Sequence, residues 1–239
     1  MTTQVNGAAV FGAAGQRGEK DYYCDAYSVF RSAAGSVGAV VVDGVGDSEE
    51  IARDMDRLAW AMSRTTAQRG SSAGIMAGHH LLVDRGADGK GPSAVAVAAD
   101  LRPGRPTGVS WAGDCAAFGA NGKGGLTRYT DEQTVGEQLA RNGGVPFEVS
   151  ESHRNWVALG LPEASVWTVY RVEIPPEDTV ILLSDGIVDQ LSPGEMDALV
   201  RVNAERPPRF LAQALVDAAR PSGRRRRDDA TAVVLRPLM

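Results

Sequence analysis

Apolar runs, several of them short and bounded by Gly, Pro or Asp, set the pattern of this chain. Residues 8–13, 26–32, 38–42, 94–99, 108–112, 116–120, 165–172, 179–183 and 230–235 are such runs, several of them rich in Val, and they predict strands packed in sheets. Helical periodicity starts at Ser48, where Ile51, Met55, Leu58, Ala59 and Met62 recur at three- and four-residue steps. Ser48 suits the N-cap, and Glu49 and Glu50 fall in the first turn, where the helix dipole favours acidic groups. A second apolar segment, 75–83, is expected to pair with this helix across a turn at 67–74. Shorter helices are expected at 132–142, at 193–202 with Ser192 as cap and Pro193 in first position, and at 208–219. Strands, a helix pair, more strands, then helices and a final strand do not alternate as a parallel sheet requires. The expected class is α/β of the α+β kind: a central β-sandwich of two mainly antiparallel sheets flanked by helix pairs, in one domain over 1–239.

Several of the apolar runs lie against acidic residues. VVVDG at 40–44 delivers Asp43 and Gly44 to a strand end, and ILLSDG at 181–186 does the same with Asp185 and Gly186. WAGDC places Asp114 after Gly113, and RDDATAVVL places Asp228 and Asp229 just ahead of the last strand. Taken singly, Asp-Gly is the ordinary mark of a turn. Four such sites in one chain favour something else. Carboxylates on stiff strand ends can be aimed at one point, making an oxygen-rich cage for Mg²⁺ or Mn²⁺. A neighbouring glycine leaves its own carbonyl open to approach.

Charge and composition narrow the alternatives. The formal charge of −5 gives no general reason to bind nucleic acid, which needs a basic face to neutralise phosphates. A Mg²⁺-dependent nuclease is disfavoured for the same reason. Two cysteines, Cys24 and Cys115, are too few for a disulfide scaffold and lack metal-type spacing, which suits a reducing cytosol. No secretory signal pattern or membrane-length apolar run is evident, so the expectation is a soluble cytoplasmic protein without a membrane partner.

The blocks VVDGVGD, GPSAVAVA, WAGDCAAF, ILLSDGIVDQLS and DDATAVVL, in this order, resemble the metal-dependent Ser/Thr protein phosphatases of the phosphatase-2C (PPM) family, bacterial type. The likeness extends from GAAGQRGEKDYYCDAY to the end of the chain. It implies hydrolysis of phosphoserine or phosphothreonine on proteins by a metal-activated water. It also implies two Mn²⁺ or Mg²⁺ ions, with a third possible. By that resemblance Asp43 bridges two ions and Gly44 gives a carbonyl to one, Asp185 and Asp228 bind the other, and Asp25 acts mainly through water. Asp114 would help hold a third ion beside Asp185. Asp43, Asp185 and Asp228 would thus be the catalytic carboxylates. Two ions about 3.5 to 4 Å apart lower the pKa of a bridging water and neutralise phosphate oxygens. Residues 130–166 take the place of the flap that borders the family's active site. The implied partner is a phosphorylated protein, a Ser/Thr kinase or its target, with the enzyme expected as a monomer.

Departures from the family pattern bear on rate. Where the family has an arginine to clamp phosphate, this chain has Lys20, a point charge without a bidentate fork, and Arg17 is the nearby substitute. Tyr23 and Cys24 replace polar residues, Ala116 replaces the arginine of the third motif, and Val45 stands where a histidine acid is absent. A second reading is therefore a weakly active or inactive phosphatase-like domain that binds a phosphoprotein or regulator. Cys24 and Cys115 beside metal-site aspartates raise a redox role, but a small buried hydrophobe is the simpler assignment. The run at 224–227, RRRR, is assigned to a solvated loop, His79 and His80 to structure, and the four tryptophans to core or loop cover.

Overall fold

The computed structural model describes residues 9–82, 91–122, 125–220 and 227–238. Among these residues ten strands form two five-stranded sheets in which every neighbouring pair is antiparallel. One sheet orders β2 (Asp25–Arg31), β3 (Val37–Val45), β4 (Ser93–Leu101), β5 (Thr107–Ala112) and β8 (Tyr170–Ile174). The other orders β1 (Ala9–Gln16), β10 (Ala230–Pro237), β9 (Thr179–Leu183), β6 (Ala116–Ala120) and β7 (Leu126–Arg128).

The sheets face each other across a core that includes Val37, Val41, Val97, Val109, Leu182 and Val233. Helices α1 (Glu49–Arg69) and α2 (Ser71–Leu82) cover the outer face of the first sheet, where Val40 and Val42 meet Met55, Leu58, Met62 and Ile75. Helices α6 (Pro193–Val202) and α7 (Pro208–Ala218) cover the other, with Leu211, Leu215 and Met196 against Ile181, Leu183 and Val234. The result is a four-layer α/β/β/α stack. A strand such as β3 is buried on both faces, which is why its sequence is an unbroken apolar run instead of an alternating one.

Local signals explain the helix limits. Ser48 Oγ accepts from Ile51 N at 3.2 Å at the start of α1, and Ser192 with Glu195 forms a capping box at the start of α6. The expected turn at 67–74 is overturned. Helix α1 continues to Arg69 and α2 begins at Ser71, because the single residue Gly70, at φ 100°, is enough to reverse the chain. The expected strand at 165–172 begins only at Tyr170. Before it, Ser165 O accepts from Thr168 N and Val169 N while Ser165 N donates to Thr168 Oγ1, a local turn that takes the backbone groups a ladder would need. Strand β7, helices α4 (Phe147–Ser152) and α5 (Asp185–Val188) and the 3₁₀ turn Leu161–Glu163 lie outside the sequence expectation. Helix α3 (Val135–Asn142), capped by Thr134, begins three residues later than expected.

Of the tryptophans, only Trp111 is in the core, with its indole N–H donating to Asp131 O at 2.8 Å. Trp60, Trp156 and Trp167 are exposed, the last at 89%, so the expectation of core or loop cover fails for Trp60, on the outer face of α1, and for Trp167. Val83 and residues 224–226 lie outside the described residues. Among the described residues no helix is long and apolar enough to cross a membrane.

The layer between α1 and the sheet sets a stability test. Met62→Ala removes a fully buried side chain and is expected to cost about 2–5 kcal/mol in urea unfolding, whereas Trp60→Ala on the exposed face of the same helix should stay within about 1 kcal/mol.

Candidate metal centre

The strand ends expected to carry carboxylates meet at one end of the sandwich. The β2–β3 register sets Asp25 directly opposite Asp43. Asp185 follows β9 by two residues, Asp228 precedes β10 by two, and Asp114 sits in the link between β5 and β6. Asp43 interacts electrostatically with Asp25, Asp114 and Asp185, and Asp185 with Asp25, Asp114 and Asp228.

The backbone is shaped to hold them there. Gly113 has φ 104°, and a Cβ on it would strike Val95. Gln133 clamps this glycine on both sides, its side chain accepting from Gly113 N at 2.8 Å and its backbone N donating to Gly113 O at 3.0 Å, so Asp114 is aimed by a fixed turn. At Gly44 a Cβ would meet Cys24 O and Met55, so close packing requires the glycine. At Gly186 it would collide with the backbone of Asp229, which lets the start of α5 lie against the segment carrying Asp228.

Hydrogen bonds complete the frame. Thr231 Oγ1 donates to Asp25 Oδ2 at 2.6 Å and lies 2.5 Å from the Tyr23 hydroxyl, while Thr231 N donates to Ser184 Oγ at 3.0 Å. Asp229 is wholly structural: its two oxygens accept from Gly18 N at 2.8 Å and Cys24 N at 2.7 Å, tying the segment before β2 to the one before β10. Lys20 reaches the cluster, with Nζ 2.8 Å from Asp228 Oδ1. Arg17 does not: it is exposed, and its guanidinium donates to the carbonyl of Asp21.

Burial and mutual repulsion dominate the electrostatics. Burial first, then the neighbouring Asp185, pushes Asp114 up to about 7. Asp25 is also pushed up to about 7, by burial, against the opposing hydrogen bonds from Thr231 and Ser184. Asp185 is pushed up to about 6, again by burial first. Asp43 is driven well above the carboxylate range by burial and then by Asp185, Asp25 and Asp114, and its carboxyl hydrogen-bonds Asp185. For Lys20 burial opposes the charge, but the hydrogen bond to Asp228 and the fields of Asp43 and Asp229 outweigh it, so the ammonium is held protonated. Burial pushes the thiols of Cys24 and Cys115 up, so neither is poised as a thiolate, in keeping with their assignment as small hydrophobes. His79 Nδ1 lies 3.1 Å from Leu161 O, a structural contact.

Two carboxylate oxygens, Asp114 Oδ1 and Asp185 Oδ1, are buried without a hydrogen-bond partner. Buried polar atoms are normally satisfied, and several carboxylates drawn into one pocket repel unless a cation joins them. Among the described residues no three His, Cys, Asp or Glu are closed up as a finished ligand shell. The strand ends fix where the carboxylates stand, and side-chain rotation decides what they face. All-oxygen donors, orphaned oxygens and a net negative pocket fit a hard divalent cation.

The segment 151–156 supplies the other wall. A cavity of about 350 Å³ lies between Glu151, Arg154, Asn155 and Trp156 on one side and Asp185, Asp189 and Asp228 on the other. Asp189 and Glu132 both act electrostatically on Asp114, and neither was singled out from sequence. The signal for Asp189 was its four-residue step from Asp185, one helical turn along the same face.

The comparisons with known proteins agree with this architecture. A family model described as Stage II sporulation protein E (SpoIIE) matches residues 139–237, a segment that includes Asp185 and Asp228. A search of curated proteins gives no match. Among solved structures, the Streptococcus agalactiae (S. agalactiae) serine/threonine phosphatase superposes with a TM-score of 0.78 at 16% identity, covering 96% of this chain and 100% of that one. The Mycobacterium tuberculosis serine/threonine phosphatase PstP/Ppp gives 0.73 at 21% identity, with 96% and 98% covered. The PstP catalytic domain in complex with two manganese ions gives 0.72 at 20% identity, with 95% and 97% covered. The fold is therefore that of the bacterial Ser/Thr phosphatases over nearly the whole chain.

The charged pocket predicts a pH dependence. Each raised carboxyl titrates above the value of about 3.9 it has when unfolded, so the folded chain binds more protons between about pH 4 and 7 and loses stability as pH rises through that window. Metal-free Asp185→Asn should therefore exceed the wild type in stability at pH 8, by on the order of 1–3 kcal/mol, with the difference gone near pH 4. Urea unfolding at the two pH values checks this, and a pH-independent difference would contradict it.

Proposed function

We propose that this protein is a metal-dependent phosphatase that hydrolyses phosphoserine and phosphothreonine on other proteins. The observation that carries the reading is the convergence of Asp25, Asp43, Asp114 and Asp185, with two orphaned buried oxygens on Asp114 and Asp185, where Asp185 and Asp228 line a cavity opposite residues 151–156. Asp43, Asp185 and Asp228 are the ligands and catalytic carboxylates, with the Gly44 carbonyl, Asp114 and Asp25 completing the set. Two Mn²⁺ or Mg²⁺ ions held there, with a third at Asp114, would activate water and neutralise phosphate charge.

The chain's own groups do the rest. Asp25 is locked by Thr231 and keeps the acidic end of β2 from swinging away. Lys20 brings a protonated ammonium beside Asp228, where it can attract the substrate phosphate as a point charge. Its engagement by Asp228 supports a weaker grip than an unengaged guanidinium fork would give. Arg17 is not favoured for this role, since it faces Asp21. The flap cavity has polar and aromatic lining, from Ser152, Asn155 and Trp156, which suits a peptide flanking the phosphate. Action as a monomer is part of this proposal. A cytoplasmic phosphoprotein, a Ser/Thr kinase or its target, is the natural partner class.

A Mn²⁺-dependent p-nitrophenyl phosphate assay tests the proposal. Chelation should abolish turnover and Mn²⁺ restore it, and Asp43→Ala or Asp185→Ala should lower kcat by more than about a hundredfold, beyond the usual loss of an outer-shell partner. Lys20→Ala should act mainly on KM. Background turnover in the wild type with Mn²⁺ uptake visible by calorimetry would instead favour a phosphoprotein-binding domain.

A further inference from the structure

The register places a second polar cavity at the far end of the same sheet. Val37 pairs with Leu101 there, while Asp43 pairs with Val95 at the carboxylate end. The cavity, about 470 Å³, opens where the α1–α2 turn meets the β4–β5 turn and β8. Four arginines line it, Arg69, Arg102, Arg105 and Arg171.

The carboxylates present do not balance them. Glu173 pairs with Arg171 at 3.0 Å. Asp100 lies 3.5 Å from Arg102 Nε, a charge contact only, because that nitrogen is buried without a hydrogen-bond acceptor. Asp100 is also committed elsewhere, accepting from Ser71 N at 2.8 Å at the start of α2. Arg69 and Arg105 have no acidic partner among the described residues. Four guanidinium groups against two carboxylates leave two positive charges concentrated here, on a chain whose formal charge is −5. Ser71 and Ser72 also line it, their hydroxyls contacting Ser110 Oγ at 3.0 and 2.8 Å.

Among the described residues no aromatic side chain lines the cavity, so charge and directed N–H groups, not stacking, select its occupant. Planar forks match tetrahedral oxyanions bidentately. We propose that this cavity is a binding site for phosphate-class oxyanions, separate from the carboxylate centre. The volume exceeds what one tetrahedral group fills, so a linked pair of phosphates fits it better than one. The inference stands apart from the hydrolytic reading, since none of its residues belongs to the metal centre.

Calorimetric titration of metal-free protein with inorganic phosphate and with pyrophosphate tests it, because without metal the carboxylate centre repels anions. Saturable binding is expected, tighter for pyrophosphate and persisting in chloride of matched ionic strength. The Arg69→Gln, Arg105→Gln double variant should lose about tenfold in affinity for each guanidinium removed. Arg105→Gln alone, on an exposed turn, repeats the measurement should the double variant unfold. Mn²⁺-dependent p-nitrophenyl phosphate turnover should be unchanged in both. Absence of binding, affinity equal in wild type and variants, or equal displacement by chloride would each overturn the proposal.

Discussion

The repulsion among carboxylates buried at one end of the sandwich is the constraint on which the rest of the structure depends. Charges in a poorly solvated pocket favour either protonation or separation, and the fold prevents separation. Asp25 and Asp43 are locked side by side by a strand register, Asp185 by the first turn of α5, and Asp114 by a glycine turn that Gln133 clamps. A cluster that disfavours itself persists only because the packing around it is strong. That packing is the four-layer stack, in which β3, β4 and β9 are buried on both faces.

The same constraint explains the uncharged residues around the centre. Thr231, Ser184 and Tyr23 form a hydrogen-bonded chain that ends on Asp25, and burial together with the nearby carboxylate keeps Tyr23 a phenol. Asp229 accepts two backbone N–H groups and so joins two distant segments. Adjacent aspartates at 228 and 229 thus do opposite jobs. One faces the pocket and Lys20, and the other is spent on the frame. Stability given up at the carboxylates is recovered in the core, the usual division between a functional site and its scaffold.

The likeness to bacterial Ser/Thr phosphatases at 16 to 21% identity has a physical basis in the same terms. Layered packing needs apolar side chains of suitable volume and period, and many sequences supply them. The strand ends are far less permissive. Glycine at 44, 113 and 186 is enforced by contacts a Cβ would violate, and each of these positions adjoins an aspartate of the cluster.

Periodicity alone revealed most strands, the amphipathic face of α1 and the sandwich class, because those depend on burial patterns that span only a few residues. It missed β7, α4 and α5, which are too short to show a period, and it placed a turn across 67–74 where one glycine suffices. The acidic strand ends were visible as residues, and the resemblance grouped them. Only the tertiary structure could decide that Lys20 reaches Asp228 while Arg17 turns to Asp21, that Asp189 and Glu132 act on Asp114, and that arginines from three separate segments share a cavity. Those outcomes depend on where strands and turns distant in the chain end in space, and no local pattern encodes that.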